Sequence, residues 1–192
     1  MSTKYIYANN ITQTNTSQYR TFKDTNKLKG TSGYAVSNGL IHGKNSTPNR
    51  PSTLTFKNFK AGLPTGAEVS KVTVEYKHSK VAYNGKYLNV TAPTITLLGV
   101  SGKSSKGSAP PKTASSYSKS FKFSKPLPAT TVNSNDFGVK LDYPKNANSN
   151  EGYIRVYYVR LKVEYVVPSY NLKVSLASVN YNQYHSNYLN QT

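Results

Sequence analysis

The sequence predicts an all-β chain, an antiparallel β-sandwich of jelly-roll type with about eight strands and a C-terminal extension. Three observations lead there. Segment after segment alternates β-branched or aromatic residues with polar ones at the period of a half-buried strand. Turn signals such as Leu63-Pro-Thr-Gly-Ala67 and Asn84-Gly85 separate those segments at hairpin-like spacing. No apolar repeat of helical period and useful length occurs, so the strands must pack on one another.

In chain order, Lys4–Ala8 reads as a short alternating strand closed by the turn pair Asn9-Asn10. Thr12 to Gly33 is polar, broken by Tyr19 and Phe22, and suggests a meandering edge. Tyr34–Ile41 holds Ser37-Asn38-Gly39 and reads as a hairpin or a bulged strand; Gly43 to Pro51 is a loop. Leu54–Phe59 resumes a strand. Val69, Val72, Val74, Tyr76 and His78 then share one face of a long strand whose other face carries Lys71, Thr73, Glu75 and Lys77. Asn84-Gly85 predicts a hairpin that returns through Leu88–Val90 to a strand over Thr94–Leu98. Gly99 to Ser116 is a Gly, Ser, Lys and Pro loop, Tyr117, Phe121 and Phe123 mark another strand, and Pro126 to Asn135 crosses over. Phe137–Tyr143 alternates again, and Pro144 to Gly152 is a loop.

Tyr153–Val166 is the most informative segment. Ile154, Val156 and Tyr158 place apolar groups on even positions, whereas Val159, Leu161, Val163 and Tyr165 place them on odd ones. Because strand side chains repeat with period two, the phase change predicts a bulge or bend between Tyr157 and Val159. Extended, the segment spans roughly 45 Å, so a bent strand serving both layers is expected. Pro168 cannot donate to a ladder, which places the end of the sandwich near 167. The expected organisation is therefore 1–167 as the sandwich and 168–192 as an arm or the start of a further module.

Composition narrows the chemistry. The chain has no Cys, no Trp and one Met, so the core draws on Val, Leu, Ile, Phe and some of the 17 Tyr, and neither a disulfide framework nor a thiolate metal site is available. Met1–Tyr7 carries no apolar run of signal-peptide type, and no segment approaches the roughly 20 apolar residues of a helical membrane span. The formal net charge is +18, but only four of the 25 basic residues are Arg and the lysines are dispersed from Lys4 to Lys173. Dedicated nucleic-acid binding favours clustered charge and forked guanidinium contacts, so the pattern argues instead for attraction to polyanionic surfaces, cell-wall polymers included.

Four stretches, Tyr7-Ala8-Asn9-Asn10, Leu63–Tyr76, Asn135–Leu141 and Tyr153–Tyr165, together resemble the jelly-roll or β-sandwich modules that recur in structural proteins of tailed viruses of bacteria and archaea and in microbial surface adhesins. The shared pattern is a Pro-x-Gly-Ala turn into a long strand, a Phe-Gly-Val strand and a closing strand rich in Tyr and Val. The resemblance covers 4–166 and implies fold and setting; it carries no catalytic residues.

Candidate chemical groupings are sparse. Gly99-Val-Ser-Gly-Lys-Ser104 lacks the spacing of a phosphate loop and no helix is predicted after it. Glu75 and Glu164 are the nearest thing to a paired-carboxylate site, but each alternates with Lys or Arg on a wet strand face, where cross-strand ion pairing accounts for it. Asp136, Asp142 and Glu151 flank neighbouring loops without the ligand run of a calcium site. His42, His78 and His185 are unaccompanied, with His78 read as a strand-end residue. Sequons occur at Asn10, Asn15, Asn45, Asn89 and Asn190.

No cofactor, metal or catalytic residue is therefore expected. The leading expectation is a non-enzymatic virion structural protein, acting through contacts with other virion proteins, a homo-oligomer and the host surface. The alternative is an extracellular carbohydrate-binding or adhesin module docking to an anionic wall. The residues expected to make surface contacts are Lys103, Lys106, Lys112, Tyr117, Tyr170, Tyr181, Tyr184 and Tyr188.

Overall fold

A computed structural model describes residues 1–14, 21–30, 33–37, 41, 45 and 50–169. The expected tail contacts Tyr170, Tyr181, Tyr184 and Tyr188, together with His42 and His185, lie outside the described residues. Among those described there are eleven strands: β1 (Ser2–Tyr7), β2 (Asn10–Thr14), β3 (Phe22–Lys23), β4 (Ala35–Ser37), β5 (Thr53–Lys57), β6 (Glu68–Ala82), β7 (Thr94–Leu98), β8 (Ser104–Lys106), β9 (Ser115–Pro128), β10 (Gly138–Asp142) and β11 (Gly152–Val166). A 3-10 turn spans Thr25–Lys29, and a single helical turn, α1 (Ala129–Asn133), follows β9.

The strands form two antiparallel sheets. One has the order β3-β4-β11-β6-β9, with β1 alongside the far half of β11; the other runs β2-β5-β10-β7-β8. Eight of these strands pair as a folded-over ribbon: β1 with β11, β5 with β10, β6 with β9 and β7 with β8. First pairs with last and each inner pair nests within, which is the winding of a jelly roll. The expected fold class is what the molecule has. The strands not foreseen are β2, β3 and β8, all short and all edge or near-edge.

β11 carries the bulge its phase change predicts. Its register against β6 slips between Val156 and Tyr158, leaving Tyr157 as the extra residue. The extra residue restores the phase, so Ile154, Val156, Val159, Leu161 and Val163 all reach zero exposure on one inner face. The expected sharing of this strand between layers does not occur, because β11 stays beside β6 from Gly152 to Val166. Burying each of these aliphatics contributes roughly 1.5–3 kcal/mol. Leu54 and Phe56 of β5, Ile95 and Leu97 of β7, and Val139 and Leu141 of β10 face them from the other sheet.

Two further expectations are corrected. The Asn84-Gly85 turn forms, closed by a Tyr83–Lys86 bridge, but no return strand pairs with β6, since β7 belongs to the other sheet. The intervening residues are instead tied down by asparagines: the Asn146 Oδ1 accepts from the Asn89 amide, and the Asn148 and Asn150 side chains donate to the Tyr87 carbonyl. His78 is not at a strand end. It sits in the inter-sheet core at zero exposure, its Nδ1 within 2.8 Å of the Tyr143 hydroxyl.

Candidate functional site: the outer face of the β1-β11-β6-β9 sheet

The two outward faces of the sandwich differ. On the β2-β5-β10-β7 side the outward positions are Thr12, Thr55, Lys140 and Thr96 in one cross-strand row, with no aromatic among them. The other sheet presents tyrosines. Around the buried Ile6, alternation turns Tyr5 and Tyr7 outward, and the Tyr157 bulge turns Tyr158 outward beside them. Tyr5 remains 49% exposed.

Register fixes which side chains meet. One row runs Tyr7, Arg160, Glu75, Ser118 and the next Tyr5, Lys162, Thr73, Ser120. The Arg160 Nε donates to Glu75 Oε2 at 2.6 Å, while its guanidinium lies 4.8 Å from the ring centre of Tyr5 and 5.4 Å from that of Tyr158. A hydrogen bond to the Tyr7 hydroxyl and the pairing with Glu75 raise its pKa further, so it is a fixed cation. Two rings and a carboxylate thus hold one guanidinium, giving the face a rigid centre. The Tyr158 hydroxyl donates to Ser116 Oγ at 3.0 Å. Between them, Glu75, Ser116, Tyr117, Ser118, Tyr158 and Arg160 rim an open depression of about 310 Å³.

The paired carboxylates behave as cross-strand ion pairs. Glu164 is bound by Lys71 at 2.7 Å and by Lys162 at 3.8 Å, and the Lys71 contact foremost lowers its pKa. Glu164 is therefore held ionised by its cations, the reverse of the raised pKa a general acid needs, and Glu75 is occupied by Arg160 at 2.6 Å. The loop acids are also occupied: Asp136 pairs with Lys57 at 3.1 Å, and Asp142 takes Arg50 and the Thr53 hydroxyl. Among the described residues no group of three or more His, Cys, Asp or Glu is placed to hold a metal ion, and no helix is long and apolar enough to cross a membrane.

Of the other expected contact residues, Tyr117 borders this depression, whereas the three lysines lie apart from it. Lys103 donates to the Lys122 carbonyl and rests over Phe123, Lys106 is exposed on β8, and Lys112 sits 4.9 Å above the Tyr87 ring. The Tyr117 ring packs at the margin of the core, tilted against Tyr76 at 5.8 Å and edge-on to His78 at 5.3 Å. What sequence reasoning missed is Tyr5, Tyr7 and Tyr158 as a group, and the available signal was that tyrosines flank a buried Ile on alternate positions. A larger groove of about 500 Å³, lined by Leu63, Lys125, Pro126, Pro128 and Asn133, lies at one end of the sandwich. Its Asn133 amide is already spent on the Leu63 backbone, from which it both accepts and to which it donates.

Fold and face together define a jelly-roll sandwich with a tyrosine-bearing sheet surface. No family model matches the chain, and no curated protein does. Among solved structures it is similar to a CBM4 module at 11% identity, covering 84% of this chain and 94% of that one with a TM-score of 0.43. It is similar also to the CBM35 of Cellvibrio japonicus Abf62, at 9% identity with 88% and 99% covered and a TM-score of 0.36. A third is the N-terminal cellulose-binding domain of Cellulomonas fimi β-1,4-glucanase C, at 12% identity with 72% and 81% covered and a TM-score of 0.33. At these TM-scores the likeness carries no argument about what this chain binds. The expected virion setting, virion partners and homo-oligomer find no support in these comparisons.

Proposed function

We propose that this chain is a non-catalytic carbohydrate-binding module that works outside the cell and holds its glycan on the outer face of the β1-β11-β6-β9 sheet. The observation that carries the reading is the grouping of Tyr5, Tyr7 and Tyr158 around the Arg160–Glu75 pair on one sheet face. A sugar ring has an apolar C–H face and a rim of hydroxyls that both donate and accept. Tyrosine rings supply apolar area at low entropic cost with a polar tip. Arg160 supplies donors, Glu75 an acceptor, and Ser116, Ser118, Thr73 and Ser120 supply both. These groups sit on paired strands, so little order has to be imposed on binding. The net charge of +18 adds attraction towards an anionic wall without fixing a contact.

The test is affinity electrophoresis against a panel of soluble wall and storage polysaccharides. Retardation by at least one polymer is expected, abolished in Tyr5→Ala and Tyr158→Ala and retained when Lys103, Lys106 and Lys112 are replaced together by Gln. Retardation that survives both tyrosine changes but vanishes with the three lysines would move the site to the loop.

A further inference from the structure

Beyond the Tyr157 bulge the same face changes character. Alternation turns Arg155 outward opposite Ser79 of β6, with Lys77 one outward position further along β6. The Arg155 guanidinium stacks 4.6 Å from the ring centre of Tyr34, whose ring lies 5.2 Å from that of Tyr157. Lys77 Nζ is 5.4 Å above Tyr157, and the Tyr157 hydroxyl is 3.4 Å from Ser79 Oγ. Two cations are thereby gathered on two packed rings.

The two arginines of β11 are used differently. Arg160 is neutralised by Glu75 at 2.6 Å. Arg155 has no carboxylate and no hydrogen-bond acceptor among the described residues, and its Nε is buried without a partner. A buried guanidinium N–H without an acceptor costs free energy that native proteins rarely leave unrecovered. Stacking on Tyr34 occupies one flat face of the group and leaves its Nη donors, which are not buried, for a ligand in the guanidinium plane.

We infer that Arg155, with Lys77 and the Tyr157 hydroxyl, forms an anion subsite that takes an oxyanion substituent of the bound glycan, a uronate carboxylate or a sulfate ester. The inference rests on the glycan reading for the identity of the carrier. The geometry of Arg155 stands without it. A planar fork suits a two-oxygen anion, and a point-charge lysine beside it adds attraction without a fixed geometry. The pairing of a neutralised centre at Arg160 with an unspent cation at Arg155 gives the face direction: ring stacking near Tyr5 and Tyr158, charge reading past the bulge.

Binding of polygalacturonate and of its fully methyl-esterified form, and of dextran sulfate and of dextran, distinguishes carboxylate from sulfate and both from the neutral chain. The wild type is expected to prefer the charged member of at least one pair about tenfold or more at 0.15 M salt. Arg155→Gln is expected to bring that preference within about twofold while leaving neutral-chain binding in place. Arg155→Lys, which keeps charge but loses the fork, should fall between. Melting temperatures of both variants establish that they are folded. An unchanged preference in Arg155→Gln, or no preference in the wild type, overturns the inference and leaves the glycan reading intact. If no glycan binds, the Arg155 Nε–Hε resonance is titrated with inorganic sulfate: a saturable shift keeps the anion subsite and rejects the glycan carrier, and no shift rejects both.

Discussion

Acid should weaken this fold through one buried histidine. His78 is fully enclosed between the sheets, edge-on to Tyr76 at 5.1 Å and to Tyr117 at 5.3 Å and hydrogen-bonded to Tyr143, with its Nε2 unpartnered. No carboxylate is among these neighbours, so burial lowers its pKa from 6.5 to about 4. The unfolded chain therefore binds a proton on His78 at a pH where the folded chain does not, and stability falls as pH drops through that interval. That contribution is essentially complete above about pH 7.5 and is lost as pH falls through 6.5 towards about 4. The gap, at about 1.36 kcal/mol per pH unit, amounts to about 3 kcal/mol by pH 4 and about 2.5 kcal/mol by pH 4.5. Glu164, whose pKa is lowered from 4.5, loses its own contribution only below that value, so the interval from pH 7 to 4.5 reports the histidine. The assay is urea unfolding at half-unit pH steps. With slopes of about 1–3 kcal/mol per molar urea, the midpoint should drop by about 1–2.5 M. In His78→Gln the starting midpoint should be lower and its drop over the same interval less than a third as large. A flat wild-type midpoint, or an equal drop in the variant, would refute the placement of a neutral histidine in the core.

Other expectations are simpler. Leu161→Asp puts a carboxylate at a fully buried position of β11 and should prevent folding, whereas Lys162→Ala, one residue on and outward, should shift the melting temperature by no more than a degree or two; equal effects would contradict the register. Gly138 lies so close to the Phe56 carbonyl that an added Cβ collides with backbone, so Gly138→Ala should cost several kcal/mol in urea unfolding although its backbone φ is ordinary; a loss under about 1 kcal/mol would refute that contact. Asn146 is 2% exposed and donates to the Asn148 and Asn150 carbonyls while accepting from Asn89. Asn146→Ala should open the 144–151 loop to limited proteolysis ahead of the sheets, and an unaltered cleavage pattern would count against this role.

The legible parts of the fold were those where one segment states its own burial. Period-two alternation located β1, β5, β6, β7, β9, β10 and β11, and the phase change in β11 placed its bulge within the Tyr157 to Val159 window, where Tyr157 is the extra residue. β2 and β8 escaped because their burial comes from their partners: β2 alternates only between exposed and half-buried positions and is held by β5. The Gln13 amide, which bridges both backbone groups of Phe22, has no sequence signature. The turn at Asn84-Gly85 was readable, but not that the following residues would cross to the second sheet, since that is decided by what β6 already has on each side. The candidate face was legible only in halves. The outward positions of each strand were evident, and the pairing of Glu75 and Glu164 with neighbouring cations was anticipated. That Tyr7 meets Arg160 across 153 residues of sequence follows from the closing of first strand on last, a property of the whole winding. His78 was misplaced for the same reason: its partner Tyr143 comes from the opposite sheet.

The central claim is that the outer face of the β1-β11-β6-β9 sheet is the binding surface. Backbone amide shifts of isotopically labelled protein, followed during titration with a polysaccharide that retards it in electrophoresis, test this most directly. The account predicts shifts concentrated on Tyr5, Tyr7, Thr73, Glu75, Ser118, Tyr158 and Arg160, with the Thr12, Thr55, Thr96 and Lys140 row on the opposite sheet unmoved. Shifts confined to that opposite row, or to the Gly102 to Lys112 loop, would contradict it.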